Sequence, residues 1–598
     1  MNLMESYSVS QKATTRTVGQ SYQSLLMIAI VTLTLVGGLG SRLAYLQLVE
    51  GKYHQKQAEE NRIRLVPKQP VRGNIFDRKS RILATSRLSH AVFVWPTVKK
   101  NPSWRAIVRR ISQIINSPEE EILEKLEKVD ENSIELVRVA RNITSAQATA
   151  IEEYSDELPW VEVQAEAVRT YPNGSIAAHV LGYTGEVDAE ALKKLKGRGY
   201  RLRDYIGQMG VEDAFQEKLR GKWGGQLVEV DSRGNILRVD PNKYEPAQAG
   251  QDVRLTLDLD LQKAAERALG YTKGAIVAID PNDGAVLAMA SRPTFDPNTF
   301  SQNVTEETWR QVQGVDFPFV NRAIRGFAPA STFKIVTTVA GIKSGKFPVG
   351  TVLPTYPYVV AGGIKFWDWN RAGFGYLGYE GAMAMSSDTF FYQIGRGIRG
   401  PKLIEWTRNF GFGEKTGIEL EAEEDPGLVA DTDWKQKQFG QGWFEGDTIN
   451  MSIGQGYLLG SPLQVAVMFA VPANGGYKVK PHLLKDNEDK KKWRKSLNLS
   501  PETIWILRSG LRQVITWGTG KKMNVSTIPP FAGKTGTAED QPRQSHTWFG
   551  AYAPLDNPEI VVVAFGQNSG GGGSTVAAPM VRRVLEDYFR LKRSQKKP

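Results

Sequence analysis

The chain predicts an α+β architecture: an antiparallel sheet flanked by helices, on an elongated N-terminal pedestal domain, with a single N-terminal transmembrane helix. Three observations predict it. Residues 17–41 carry no charge and lie between Arg16 and Arg42. Alternating apolar runs at 274–293 and 548–567 mark two hairpins far apart in the sequence. Between them, roughly 330–480 has helical spacing, so strands at both ends must close one sheet around it.

With 598 residues, the chain exceeds one compact core and predicts two to four domains. Its 41% hydrophobic residues and 14 Trp are those of a folded protein. The net charge of +12 is spread out, dense only at 489–495 and 590–597. There is no zinc-finger ligand set and no basic run interleaved with aromatics, so no nucleic-acid partner is expected. A basic surface suits anionic lipid or an acidic wall polymer equally well. Cysteine is absent, which excludes disulfides, thiolate–zinc sites and a cysteine nucleophile. The five His have no metal-ligand spacing, so neither a metal nor another cofactor is predicted.

In chain order, residues 1–21 read as a cytoplasmic tail and 22–47 as an anchor built on LLMIAIVTLTLVGGLG (25–40). The run exceeds the roughly 7–15-residue core of a signal peptide and lacks a small-x-small exit, so it is read as uncleaved. Lys12 and Arg16 favour a cytoplasmic N-terminus, which puts the bulk of a single-pass protein on the far side. Residues 48–250 form the pedestal. There SPEEEILEKLEKV (117–129) predicts a helix with Ser117 as N-cap and Pro118 at its first position. VRGNIFDRKSRILATS (71–86), RTYPNGSIAAHVLGY (169–183) and GQMGVEDAFQEKLRGKWGG (207–225) hold turn residues and no evident catalytic cluster. His179 reads as structural. Residues 251–590 form the C-terminal domain, with PNDG turning the first hairpin and TVAAPMVRRVLEDYF (575–589) a closing amphipathic helix. Residues 591–598 read as a disordered basic tail.

Chemistry gathers in three places. APASTFKIVTT (328–338) sets Ser331 and Lys334 three apart at a helix start, on one face. A serine hydroxyl needs a base to become a nucleophile, and a lysine serves if it is neutral. Such a pair is cheap: SQKK at Ser594 repeats it, in a tail with nothing to bury it. GAMAMSSDTFFYQIG (381–395) breaks a helical pattern at Ser386-Ser387-Asp388. Ser386 can relay a proton and Asp388 can orient substrate or neighbours, although Ser or Asp before a helix also reads as an N-cap. PPFAGKTGTAED (529–540) puts Lys534-Thr535-Gly536-Thr537 on a strand. Lys534 and the threonines can hold a carboxylate, and Gly536 leaves room for a ligand against the strand. A second KTG, at Lys415, sits in a loop pattern and is set aside.

The ordered set Ser-x-x-Lys, Ser-x-Asp, Lys-Thr-Gly-Thr resembles the active site of penicillin-binding proteins and serine β-lactamases. YLQLVEGKYHQKQAEENRIR, RGNIFDRKSRILA, RTYPNGSIAAHVLGY, GQMGVEDAFQEKLRG, GDTINMSIGQGYLLGSPLQ and HTWFGAYAP extend the resemblance to class B high-molecular-weight penicillin-binding proteins. Asp388 followed by DTFFYQIG is most similar to the elongation-type branch, penicillin-binding protein 2. Three departures stand out. Ala330 replaces a usual glycine before the nucleophile, and Ser80 replaces another in DRKSRILA. Phe374 stands where some relatives have a metal-binding His, which again predicts no metal.

The resemblance implies a peptidoglycan D,D-transpeptidase of the bacterial inner membrane, acting in cell-wall elongation and acylated by β-lactams. It implies Ser331 as nucleophile, Lys334 as base, Ser386 as proton relay and Lys534 as electrostatic activator. Asp388, Thr535, Gly536 and Thr537 would contact the stem peptide, with backbone N–H groups of Ser331 and Thr537 as oxyanion hole. No glycosyltransferase signature lies in 48–250, so a membrane glycosyltransferase of the RodA type and other elongation-complex proteins are implied partners. The alternatives are a division-type transpeptidase, a β-lactamase, a β-lactam sensor and a non-catalytic scaffold of the same fold.

Overall fold

The structure is a computed structural model that describes residues 11–55, 63–131, 133, 136–195, 197–201, 204–230, 236–301, 306–314, 316–486 and 493–595. Residues 1–10 of the expected tail, residues 489–492 of the 489–495 basic run and 596–598 lie outside them.

Helix α1 spans Gln11–Ala44 and continues as one wider turn over Tyr45–Val49. Tyr22–Val49 has a mean hydropathy of 2.0 and is the one helix, among the described residues, long and apolar enough to cross a membrane. With α1, a three-stranded sheet of Ile63–Lys68, Gly224–Val230 and Ile236–Glu245 belongs to one compact unit, residues 1–69 and 223–248. Residues 70–222 and 249–598 form the other. Division by contacts therefore does not fall at residue 250.

The physical reason is a dense set of bonds tying 70–222 to the C-terminal domain. Asp77 Oδ2 accepts the N–H of Leu259 at 3.2 Å, and Arg81 pairs with Asp260 at 2.8 Å. Glu266 accepts from Ala177 N and Glu423 from Gly210 N, at 2.7 and 2.6 Å. The three turn-rich stretches of the pedestal meet at one fully buried carboxylate, Glu212, paired with Arg72 and Arg169 at 2.6 Å each. Ser80 holds φ +64°, a left-handed turn closed by its N–H to Asp77 O at 3.0 Å. His179 is buried and bonds to Pro318 O at 2.6 Å.

Two local expectations change. The helix expected from Ser117 spans Glu119–Glu127 with Pro118 at the cap position and no side-chain cap; Ser117 instead offers its carbonyl to Ser112 Oγ. The tail expected to be disordered from 591 is helical as far as Gln595. Lys592 pairs with Glu559, and the helix keeps its apolar face, with Phe589 buried, on the domain.

The C-terminal domain opens with α2 (Leu259–Leu269), capped by Asp258. Strands β1 (Gly274–Ile279) and β2 (Val286–Arg292) form the expected hairpin. The central helices are α3 (Lys334–Lys343), α4 (Tyr379–Met385), α5 (Asp388–Asn409), α6 (Pro462–Ala473) and α7 (Pro501–Thr516). A small hairpin, β3 (Tyr358–Ala361) and β4 (Ile364–Trp367), precedes α4. Strands β5 (Ala532–Asp540), β6 (Arg543–Ala553) and β7 (Ile560–Gly566) complete the sheet, and α8 (Ala577–Gln595) closes it. The order is β2-β1-β7-β6-β5, all antiparallel, so the two ends of the domain pair through β1 and β7. β1 and β7 are buried at every position, with α6 across the sheet and buried along its whole length. This double burial leaves β5 as the edge that faces the catalytic helices.

Candidate active site

Ser331 lies in a single 3-10 turn, Ala330–Phe333, that leads directly into α3 at Lys334. In 3-10 geometry, residues i and i+3 stack over one another, so the turn aligns Ser331 with Lys334 more closely than an α-helix does. Ala330 pays for this with φ +51°, a left-handed conformation that costs an L-residue about 1–2 kcal/mol. Its N–H donates to Gly454 O at 2.9 Å. A Cβ on Gly454, itself at φ +77°, would lie 2.3 Å from Ala330 O, so glycine is needed to let this turn seat.

Lys334 is fully buried, and its Nζ has three acceptors. Ser386 O lies at 2.7 Å, Asp388 Oδ1 at 2.7 Å and Ser386 Oγ at 3.2 Å. The structure thus brings the first two motifs together. The expected direct contact between Ser331 Oγ and Lys334 Nζ is not made; the three acceptors already saturate the ammonium. Ser386 ends α4 with φ +57°, a strained conformation that aims both its carbonyl and its hydroxyl at Lys334. Ser387 is the N-cap of α5, accepting from Phe390 N, so the cap and the contact with Lys334 fall on neighbouring serines. Burial pushes the Asp388 carboxyl above its usual range, and Lys334 only partly offsets this.

Lys534 is also fully buried and donates to Thr535 O at 3.1 Å. Burial, reinforced by the charge of Lys334, drives its pKa well below the ordinary lysine value. Thr535 Oγ1 shares a hydrogen bond with Thr519 Oγ1 at 2.8 Å, and exposed Thr537 accepts from Gly573 N at 3.2 Å. Gly536 is also needed for packing within the protein. A Cβ there would stand 3.1 Å from Trp548 Cβ and 3.3 Å from both Ala330 Cβ and Thr332 Cγ2. Its bare Cα lets β5 pack against the Ser331 turn. The set-aside KTG lies in a loop, its Thr416 bound to Glu424 at 2.6 Å, and Ser594 bonds within α8. Lys597 lies outside the described residues. No cluster of metal-ligating residues occurs among the described residues.

Sequence reasoning missed Asp368. This carboxylate is fully buried directly after β4. Its Oδ2 accepts from Ser387 Oγ at 2.8 Å and from Thr389 N and Oγ1 at 2.9 Å, on both sides of Asp388. Asp368→Ala leaves these buried donors unpaired and frees the turn that aims Asp388. The expected outcome is at least about tenfold slower acylation by a β-lactam, with Asp368→Asn recovering part of it. The only sequence signal was a lone acid in an aromatic stretch.

With this geometry in place, similarity to known proteins can be stated. Residues 274–586 match the penicillin-binding protein transpeptidase domain. The chain belongs to the penicillin-binding protein transpeptidase family. Residues 67–255 match the penicillin-binding protein dimerisation domain. The peptidoglycan D,D-transpeptidase MrdA of Acinetobacter baumannii is 32% identical over 93% of this chain and 86% of its own. A Helicobacter pylori complex between Penicillin-Binding Protein (PBP2) and MreC shares 28% identity, with a TM-score of 0.80 over 88% of this chain and 99% of that one. A peptidoglycan synthase complex, described as coordinating polymerization and crosslinking, matches at 32% identity and TM-score 0.70, covering 96% of this chain and 98% of that one. The fold is therefore that of a penicillin-binding transpeptidase domain with a dimerisation domain and one apolar N-terminal helix.

Proposed function

We propose that this family member is a serine D,D-transpeptidase of the elongation type, cross-linking peptidoglycan stem peptides. The observation that carries the reading is the buried Lys334 Nζ, within 2.7–3.2 Å of Ser386 and Asp388 and one 3-10 turn from Ser331. Asp388 Oδ1 accepts from Lys334 Nζ at 2.7 Å and fixes the amine that serves as base in its neutral form. Lys334 then accepts the Ser331 hydroxyl proton as Oγ attacks the penultimate D-Ala carbonyl carbon. Backbone N–H groups of Ser331 and Thr537 receive the oxyanion. The proton passes through Ser386 to the leaving D-Ala nitrogen, and an amine of a neighbouring stem resolves the acyl-enzyme.

Lys534, Thr535 and Thr537 hold the terminal carboxylate. An arriving carboxylate is the partner that would restore charge to a lysine whose burial favours the neutral form. α1 anchors the chain in the inner membrane, with its N-terminus cytoplasmic and the bulk outside. A RodA-type glycosyltransferase supplies the glycan strands, a reading supported by the relatives in MreC and synthase complexes.

Incubation with benzylpenicillin followed by intact-mass measurement tests this. A lasting single adduct on the full chain, absent in Ser331→Ala, is the expected result. Turnover of the drug without an adduct would point to a β-lactamase, and no adduct to a scaffold.

A further inference from the structure

The β3–β4 hairpin has an unusual outer face. Tyr358 pairs with Trp367 and Val360 with Lys365, so strand alternation sets all four side chains on one side. On the inner side Val359 and Phe366 pack on the main core and Ala361 is buried, while Ile364 beside the turn is exposed. The outer side is open, with Trp367 43% and Val360 46% exposed. On a one-sided hairpin this face should be polar. It is aromatic and cationic instead. The Tyr358 and Trp367 rings lie 4.8 Å apart, Lys365 Nζ lies 4.6 Å from the Tyr358 ring and Arg371 Cζ 4.2 Å from that of Trp367.

Among the described residues, neither Lys365 nor Arg371 makes an ion pair. Between Val352 and Gly378 the only acid is Asp368, and it is fully buried against the α5 start. The face is also continuous with the reaction centre. Asp368 follows Trp367 and holds both neighbours of Asp388, while Trp369 Nε1 donates to Met385 O at 3.0 Å, next to Ser386.

We propose that the outer face of this hairpin is a subsite for a peptidoglycan strand, stacking sugar rings on Tyr358 and Trp367 and pairing stem carboxylates with Lys365 and Arg371. The inference rests on the cross-linking function proposed above. Flat rings present apolar area at low entropic cost to the C–H face of a saccharide. The cations over them are attracted to the rings yet keep their N–H donors for carboxylates, which the stem peptide carries along its length. A protein partner would leave Lys365 and Arg371 in need of acids at the same spacing. A wall strand presents sugar and carboxylate together, beside the catalytic serine.

The test uses the full chain in detergent, with Trp367→Ala, the double variant Lys365→Glu/Arg371→Glu, and wild type. Two quantities are measured: the Kd for soluble, uncross-linked glycan strands carrying pentapeptide stems, and the rate of acylation by benzylpenicillin, which has no sugar. The proposal expects strand affinity to fall about tenfold or more in both variants, about 1.4 kcal/mol, with acylation within about twofold of wild type. Amidase-treated strands, which lose the stems and keep one lactyl carboxylate per muramyl residue, should keep the Trp367→Ala loss and show a smaller charge-reversal loss. Unchanged strand affinity in both variants overturns the proposal, as does equal weakening by an unrelated polyanion such as heparin. Failure of wild type to be acylated would sink the catalytic reading instead, and leaves the strand affinities to judge the hairpin. Should Trp367→Ala lose acylation through misfolding, the surface charge variant decides alone.

Discussion

Lys334→Met acylates with benzylpenicillin about 10²–10⁴ times more slowly than the natural chain, the range for removing a general base. The residue has no substitute nearby. Lys534 is a second fully buried amine at this site, but it projects from β5 and bonds back to its own strand at Thr535 O. Methionine matches the lysine stem in length and adds no charge, so the loss reports on the amine. The variant also has a pH signature in stability. Asp388 loses the partner that lowers its pKa, while the burial that raises it remains. Its folded value, already above the 3.8 of an ordinary aspartate in the natural chain, then rises further. A group of that kind stabilises fully below its unfolded pKa, and its contribution is lost as pH rises through the folded value. The melting-temperature gap between natural chain and variant should therefore widen as pH rises above the ordinary aspartate value, because the variant's carboxyl ionises at a higher pH. A constant gap would mean that Asp388 does not depend on Lys334.

Glu212→Ala should cost about 3–5 kcal/mol, because it leaves two buried guanidinium groups without a counter-charge. Arg72 and Arg169 are nearly fully buried, and one terminal nitrogen of each already lacks a partner. No second carboxylate stands in their bonds: Arg72 otherwise reaches the Glu212 carbonyl and Arg169 the Gly73 carbonyl. Tyr171 would also lose the acceptor at 3.3 Å for its hydroxyl. Denaturant unfolding of the full chain measures the loss. Glu212 has a pH signature of the opposite sign. Burial raises its pKa, but Arg169 and Arg72 outweigh that and leave it below the usual 4.5. Its stabilisation is present above about pH 4.5 and disappears as pH falls through the depressed folded value. Equal stability of variant and natural chain at pH 7 would show that the three charges contribute nothing net.

What could be read from sequence follows from how far each interaction reaches along the chain. Ser331 and Lys334 are three residues apart, so local geometry alone aligns them. The break at Ser386–Asp388 and the strand around Lys534 are local as well, and both lie where expected. The hairpins were legible because apolar alternation has a period of two. Asp368 was not, since its partners Ser387 and Thr389 lie 19 and 21 residues on, beyond any helical or strand period. Glu212 lies 140 residues from Arg72. The end of α8 was misread for the same reason: Glu559, which pairs with Lys592, is 33 residues away.

The sequence by itself determined the anchor, the sheet, the motif residues and, through resemblance, the reaction class. Each is written in composition, in a short period or in a fixed spacing. Only the tertiary structure decided how those residues meet. It gave Lys334 to Asp388 and Ser386 rather than to Ser331, and turned Gly536 toward protein packing. It also showed what the two departures from glycine carry: Ala330 and Ser80 both hold left-handed backbone, each with its N–H hydrogen-bonded. Such choices depend on burial and on contacts between distant segments, and burial exists only once the chain has folded.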